Sequence, residues 1–212
     1  MASSGVQTCC YPKCAVNHLE DPVLAWIHQL SPAHLTELYA NAAGEMLLSL
    51  RDDADRGRYA SYFTRLRGSM ECYMRGLWAG LIATPLEIVH DASGEQPVLL
   101  LEKLSNVVFS QVFGQQQPVP YLQSFKTWGG LETVYDLLNT TAHTTAYSLA
   151  FSVWATHQTV EKMHSGINAH IENQCTTLRE VARQLKEGKN RKEIISDVRE
   201  HLRTKGTDVG GR

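Results

Sequence analysis

The stretch "VEKMHSGINAHIENQCTTLREVARQLKEG" occupies residues 160–188, and its reading decides the fold class. Val160, Met163, Ile167, Ile171, Leu178, Val181 and Leu185 stand three, four or seven positions apart, which on a helix of about 3.6 residues per turn draws one apolar stripe. Leu149 and Val153 continue it backwards, so the spacing predicts a long helix within 131–187, with breaks allowed at Asn139-Thr140 and Gly166. A second stripe, Tyr59, Phe63, Leu66, Met70, Tyr73, Leu77 and Leu81, predicts a helix over 54–82. Stripes this long need long partners. A bundle supplies them within the chain; a coiled-coil-like seam supplies them from a second copy. For the second case the expected self-association residues are Val160, Met163, Ile167 and Ile171.

The punctuation is helical as well. Asp21-Pro22, Ser31-Pro32 and Thr84-Pro85 each set a capping side chain before a proline, the arrangement that starts a helix at no hydrogen-bond cost. Gly94, Gly114 and Gly188 stand where left-handed C-terminal caps are needed. Further helices are expected at 22–30, 32–51, 85–92, 97–113, 119–127 and 191–204. No sustained alternation or hairpin dipeptide argues for a strand. The expected fold is all-α, a multi-helix bundle. A mobile arm (1–20) precedes two helical halves (21–113 and 121–205) joined near "GQQQPVP" (114–120), and a tail (206–212) follows.

Composition narrows the function classes. Of 212 residues 43% are hydrophobic and 20% charged, which fits a core-forming chain rather than a disordered one. A formal charge of -2 gives no global attraction to nucleic acid or acidic lipid, so such contacts would need a local patch. Five cysteines, three of them crowded near the start, read as reduced thiols rather than a disulfide framework. The first residues lack a secretory apolar core, and Ala2 excludes N-myristoylation. An intracellular location, cytosolic or nuclear and peripheral to a membrane if attached to one, is the expectation.

Three clusters carry candidate chemistry. Cys10, Cys14 and His18 (with Cys9 as a fourth ligand) offer zinc ligands at compact spacing, and Cys9-Cys10 offers a palmitoylation site; the competing reading is a loose arm with incidental thiols. His157, Glu161 and His164, spaced i, i+4, i+7, share one helix face that could hold a divalent metal or simply be solvated. Arg51, Arg58 and Arg65 recur every seven residues, and the segment 179–205 carries nine cations, Arg191 and Lys192 among them, against five carboxylates. Such surfaces attract lipid or RNA phosphates, unless neighbouring carboxylates use up the charge. There is no G-x-S-x-G elbow, P-loop or G-x-G-x-x-G turn. No enzyme, no small-molecule substrate and no cofactor are expected, zinc being the alternative.

"LEDPVLAWIHQLSPAHLTEL" (19–38) and "HTTAYSLAFSVWATHQTVEKMH" (143–164) resemble two colinear stretches of influenza-type (orthomyxovirus) matrix proteins. The resemblance covers about a fifth of the chain and implies an all-α protein that polymerises under a membrane, contacts anionic lipid and binds ribonucleoprotein. If the chain is viral, it implies a place in the virion. The family's compact basic cluster is missing between these stretches, and its Cys-Cys-His-His pattern is not reproduced around Trp154 to His164. The expected function is therefore a non-enzymatic, self-associating helical structural protein, with a matrix layer as its sharpest form. The rivals are a helical adaptor or host-factor-binding module, such as a viral antagonist, and a metal- or lipid-regulated small-molecule carrier.

Overall fold

Helices begin where a capping side chain precedes proline. In the computed structural model, which describes residues 21–93, 101–114 and 157–208, the Asp21 carboxylate accepts the Val23 and Leu24 N–H groups at 2.8 and 3.2 Å and opens α1 (Pro22–Gln29). The Ser31 hydroxyl accepts the His34 N–H at 3.2 Å and opens α2 (Pro32–Asp55). Helix α3 spans Tyr59–Leu81 and α4 spans Pro85–Ser93. A capping box starts α4: Glu87 accepts the Thr84 N–H at 2.8 Å, and Thr84 Oγ1 accepts the Glu87 N–H at 3.3 Å. Helix α5 (Leu101–Val108) runs into a π-helical turn, Phe109–Phe113, closed by Gly114 at φ 68°. Helices α6 (His157–Lys186) and α7 (Arg191–Asp208) follow, with the side chains of α6 described from Asn168 onward, His170 excepted. Between them Gly188, at φ 77°, forms the expected left-handed cap, and the Lys189 N–H reaches back to the Gln184 carbonyl at 3.0 Å.

The fold is all-α, and no strand occurs among the described residues. Two boundaries differ from expectation: α7 runs on to Asp208, beyond 204 and into the expected tail, and the α2–α3 junction is shifted. Helix α2 continues to Asp55 and α3 starts only at Tyr59, so the helix expected from residue 54 begins late. Gly57, at φ 67°, turns the chain there, a conformation that side chains with a Cβ avoid. The expected arm (1–20), the cap at Gly94, the linker from 115, the helices over 119–127 and 131–156, and the end of the tail lie outside the described residues.

Three long helices build the core. Helices α2 and α3 run antiparallel and close together. A Cβ on Gly68 would stand 2.9 Å from Met46 Sδ, and one on Gly80 would stand 2.4 Å from Thr36 Oγ1. Thr36 is fully buried, and its hydroxyl donates to the Pro32 carbonyl at 2.9 Å and lies 3.2 Å from the Gly76 carbonyl across the interface. Helix α6 lies against both. It runs antiparallel to α2, because Arg51 pairs with Glu172, Arg179 approaches Gly44, and Lys186 pairs with Glu37 at 2.7 Å. It runs parallel to α3, because Gly76 meets Leu178 and Gly80 meets Leu185. The two halves read from the sequence thus share one core. Leu77, Leu178, Leu104 and Ile194 meet in one apolar cluster; Leu50, Tyr62, Phe63 and Ile171 meet in a second.

Helix α7 braces the far side. Ile194 and Val198 enter the first cluster, while Arg199 donates to the Val112 and Gln111 carbonyls at 2.7 and 3.1 Å. Those carbonyls end the π-helical turn and have no partner further along the helix, so the guanidinium satisfies them and opposes the negative end of the dipole.

Candidate interaction surface

The arginine stripe was the strongest electrostatic candidate, and the fold spends it internally. Arg51 pairs with Glu172 of α6. Arg58 pairs with Asp52 and also places Nε 2.9 Å from Asp53. Arg65 Nε stands 2.9 Å from the other Asp53 oxygen. Asp53 is 1% exposed, so a buried carboxylate at the end of α2 is gripped by two half-exposed guanidinium groups across the Gly57 turn. Neither Asp53 oxygen receives an N–H along a hydrogen-bond direction, so the grip is ion pairing rather than directed bonding.

The basic C-terminal region is treated in the same way. Arg183 bridges Glu180 and Glu187, and holds the Glu180 carboxyl down at about 2. Lys189 pairs with Asp197. Arg191 donates to the Ala83 carbonyl at 3.2 Å, capping the end of α3. Of the five residues expected to bind anions, Arg51, Arg58, Arg65 and Arg191 therefore have protein partners. Lys192 is exposed on the first turn of α7. The stripe and the C-terminal segment do not come together as one basic surface: Arg51 and Arg65 face carboxylates of α2 and α6, whereas Arg191 faces the end of α3.

A further ion pair lies deeper. Arg75 of α3, its side chain 11% exposed, joins Glu71 at 3.0 Å and Asp91 of α4. It fixes α4 on α3. Beside it the Tyr39 phenol is pushed up by burial, an effect that Arg75 partly offsets.

Ile171, expected to meet a second copy, is 1% exposed and packs in the chain's own second cluster. Leu178 and Val181 are buried likewise, and Leu185 is partly buried against the first cluster. The coiled-coil-like seam is real from Ile171 onward, but α2 and α3 fill it. Burial inside the chain thus corrects the expectation for Ile171. The side chains of Val160, Met163 and Ile167, and those of His157, Glu161 and His164, lie outside the described residues, as do Cys10, Cys14 and His18. Among the described residues no group of three His, Cys, Asp or Glu side chains could hold a metal ion. Nor is any described helix long and apolar enough to cross a membrane.

What charge and periodicity did not single out is an apolar face on α1. Helix α1 packs on α4 and turns Ile27 and Leu30 towards the core. Its other side leaves Val23 61% and Trp26 54% exposed, and Leu86 on α4 is 43% exposed. Single exposed apolar residues are ordinary; here a half-exposed tryptophan stands one turn from an exposed valine, and tryptophan is enriched at interfaces. The signal was in the sequence. "PVLAWIHQ" (22–29) is apolar on every side, and a helix of eight residues packed along one side must leave the other open.

Compared with protein-family models, curated proteins and solved structures, the chain finds no match.

Proposed function

We propose that this chain is a non-enzymatic helical structural protein that self-associates through the Val23–Trp26 face of α1. The exposure of Trp26 and Val23 on a helix whose opposite side is anchored in the fold is the observation that carries the reading. The long seam supports it by exclusion. From Ile171 to Leu185 its apolar residues pack within the chain's own clusters, so that part of the seam is not open to a second copy. The paired arginines support it too, because a surface whose cations already have carboxylate partners depends on apolar contact for adhesion. A matrix-type layer is the sharpest form of this function and rests on the two stretches that resemble matrix proteins.

The test is sedimentation velocity on the full chain across a micromolar concentration series, beside the Val23→Gln/Trp26→Gln variant. Both positions are on the surface, so the far-ultraviolet spectrum and unfolding midpoint should stay unchanged. An interface tryptophan is commonly worth about 2 kcal/mol or more, roughly a 30-fold loss in association. The wild type should form dimers or larger species, and the variant should remain monomeric at the same concentrations. A wild type that stays monomeric throughout would favour the adaptor reading, in which the same face receives a different protein. Assemblies that persist unchanged in the variant would move the interface elsewhere.

A further inference from the structure

Cys72 and Cys175 are free thiols in different helices, and the packing register brings them to one level. On α3, Gly68, Cys72, Gly76 and Gly80 follow one another at intervals of four; Gly68 faces Met46 of α2, while Gly76 and Gly80 face both α2 and α6. The approach is closest at Gly76, where a Cβ would stand 2.8 Å from Leu178 Cδ2. Helices α3 and α6 run parallel there. One turn back from this contact on α3 is Cys72, and one turn back on α6 is Cys175. Cys175 is buried within the second apolar cluster, and Cys72, partly exposed, packs against that same cluster.

We propose that Cys72 and Cys175 form an oxidisable pair, and that a low-molecular-weight disulfide such as oxidised glutathione converts them into an intrachain disulfide stapling α3 to α6. The Cys72 thiol loses its proton, and its sulfur attacks one sulfur of the reagent. The reagent's S–S bond breaks and one small thiol leaves with that proton. The Cys175 sulfur then attacks the Cys72 sulfur of the mixed disulfide, its own proton leaving with the second small thiol. Two protein thiols are oxidised to one S–S bond, and the reagent is reduced to two thiols. The order follows from access, because Cys72 reaches solvent and Cys175 does not. Gly76, one turn on from Cys72, lets the Leu178 side chain lie directly against α3 and so draws α6 in beside the thiol, and the linked product requires the two Cα atoms to come within about 7 Å.

Burial also sets the conditions. It is the largest cause that pushes the Cys72 thiol up to about 11, with Glu71 and Cys175 adding to it, and it raises the Cys175 thiol as well. Both are therefore protonated near neutrality, so the pair stays reduced in a reducing compartment and closes slowly in an oxidising one.

Full-length protein is incubated with oxidised glutathione at mildly alkaline pH and digested without reduction, and the peptides are mapped by mass spectrometry. The expected product is the Cys72–Cys175 linked peptide, lighter by two hydrogens than the separate peptides. Its appearance should accompany a rise in unfolding midpoint that dithiothreitol reverses. Cys72→Ser should abolish both. Cys175→Ala, which keeps the buried position apolar, should stop the reaction at a glutathionyl group on Cys72. Glutathione retained on wild-type Cys72, or Cys72 linked to an N-terminal cysteine instead, would overturn the proposal. So would both thiols remaining unmodified after the other three cysteines have reacted.

Discussion

Asp53 lets the cost of a buried charge be separated from the worth of its ion pairs. The carboxylate is 1% exposed and lies between Arg58 and Arg65, each with Nε 2.9 Å away. The guanidinium groups are about half exposed, at 45% and 44%, so either can be hydrated if the carboxylate disappears. Asp53→Asn keeps the shape and removes the charge. It loses two ion pairs, but it also relieves the desolvation of the carboxylate and its clash with the negative end of α2. The net cost should be about 1 kcal/mol, as for partly exposed pairs. Arg58→Ala with Arg65→Ala does the opposite, leaving a buried carboxylate without a partner, a change that typically costs about 3–5 kcal/mol. In a chain of this size, that is a fall in unfolding midpoint of very roughly 6–20 °C, against a few degrees for Asp53→Asn. Urea unfolding followed by circular dichroism would measure all of these. The triple variant, both arginines and Asp53→Asn, should recover most of the loss, since nothing charged then remains buried. A double-arginine variant no less stable than Asp53→Asn would refute the reasoning, and so would a triple variant no better than the double.

Two further predictions concern the packing and the thiol. Gly76→Ala should destabilise the chain by about 1–3 kcal/mol in the same urea assay, because its Cβ would press within 2.8 Å of Leu178 and 3.2 Å of Tyr39 Cβ. Leu178→Ala in the same molecule should return part of that loss by making room. Stability should also fall as pH rises from about 9 towards about 11, because the folded state holds the Cys72 proton more tightly than a free thiol does. Stability from that raised value is complete below the unfolded thiol's range and is lost as pH rises through the folded one. Cys72→Ala should shallow the decline without abolishing it, since burial raises the Tyr62 and Tyr73 phenols as well.

Local chemistry made the helices legible. Each proline-led start depends on two adjacent residues and a hydrogen bond two or three positions away, so Asp21-Pro22, Ser31-Pro32 and Thr84-Pro85 could be read without tertiary information. The Gly57 turn was also written in the sequence. It was obscured by the helix-favouring charged residues around it, which turn out to be ion-paired across the turn rather than lying along one helix. The partners of the arginine stripe were hidden for a different reason. A stripe at intervals of seven shows that Arg51, Arg58 and Arg65 share a line, not what faces them. Glu172 stands 121 positions away from Arg51, and no local pattern links the two. Asp53 was close enough in sequence to suspect, and only its burial shows how firmly it holds two of the three arginines.

The charges along α2 and α6 also explain why the long apolar seam closes inside the chain. Three rungs recur at intervals of seven: Arg51 with Glu172, Gly44 with Arg179, and Glu37 with Lys186. The end rungs have opposite polarity, Arg to Glu at one end and Glu to Lys at the other. Turned to run parallel, the same helices would set Arg51 near Lys186 and Glu37 near Glu172, opposing like charges at both ends. Each exposed pair stabilises the antiparallel arrangement by less than about 1 kcal/mol, yet the reversed arrangement loses both and adds two repulsions. The central rung contributes shape, since Gly44 leaves space for the Arg179 side chain to cross over α2. Apolar residues alone would accept either direction and either partner. Charge polarity selects the direction, and covalent connection favours the helix of the same molecule by making that contact intramolecular. From Ile171 onward the seam is therefore occupied by the chain's own helices, and the proposed contact with a second copy is argued from the exposed tryptophan of α1 instead.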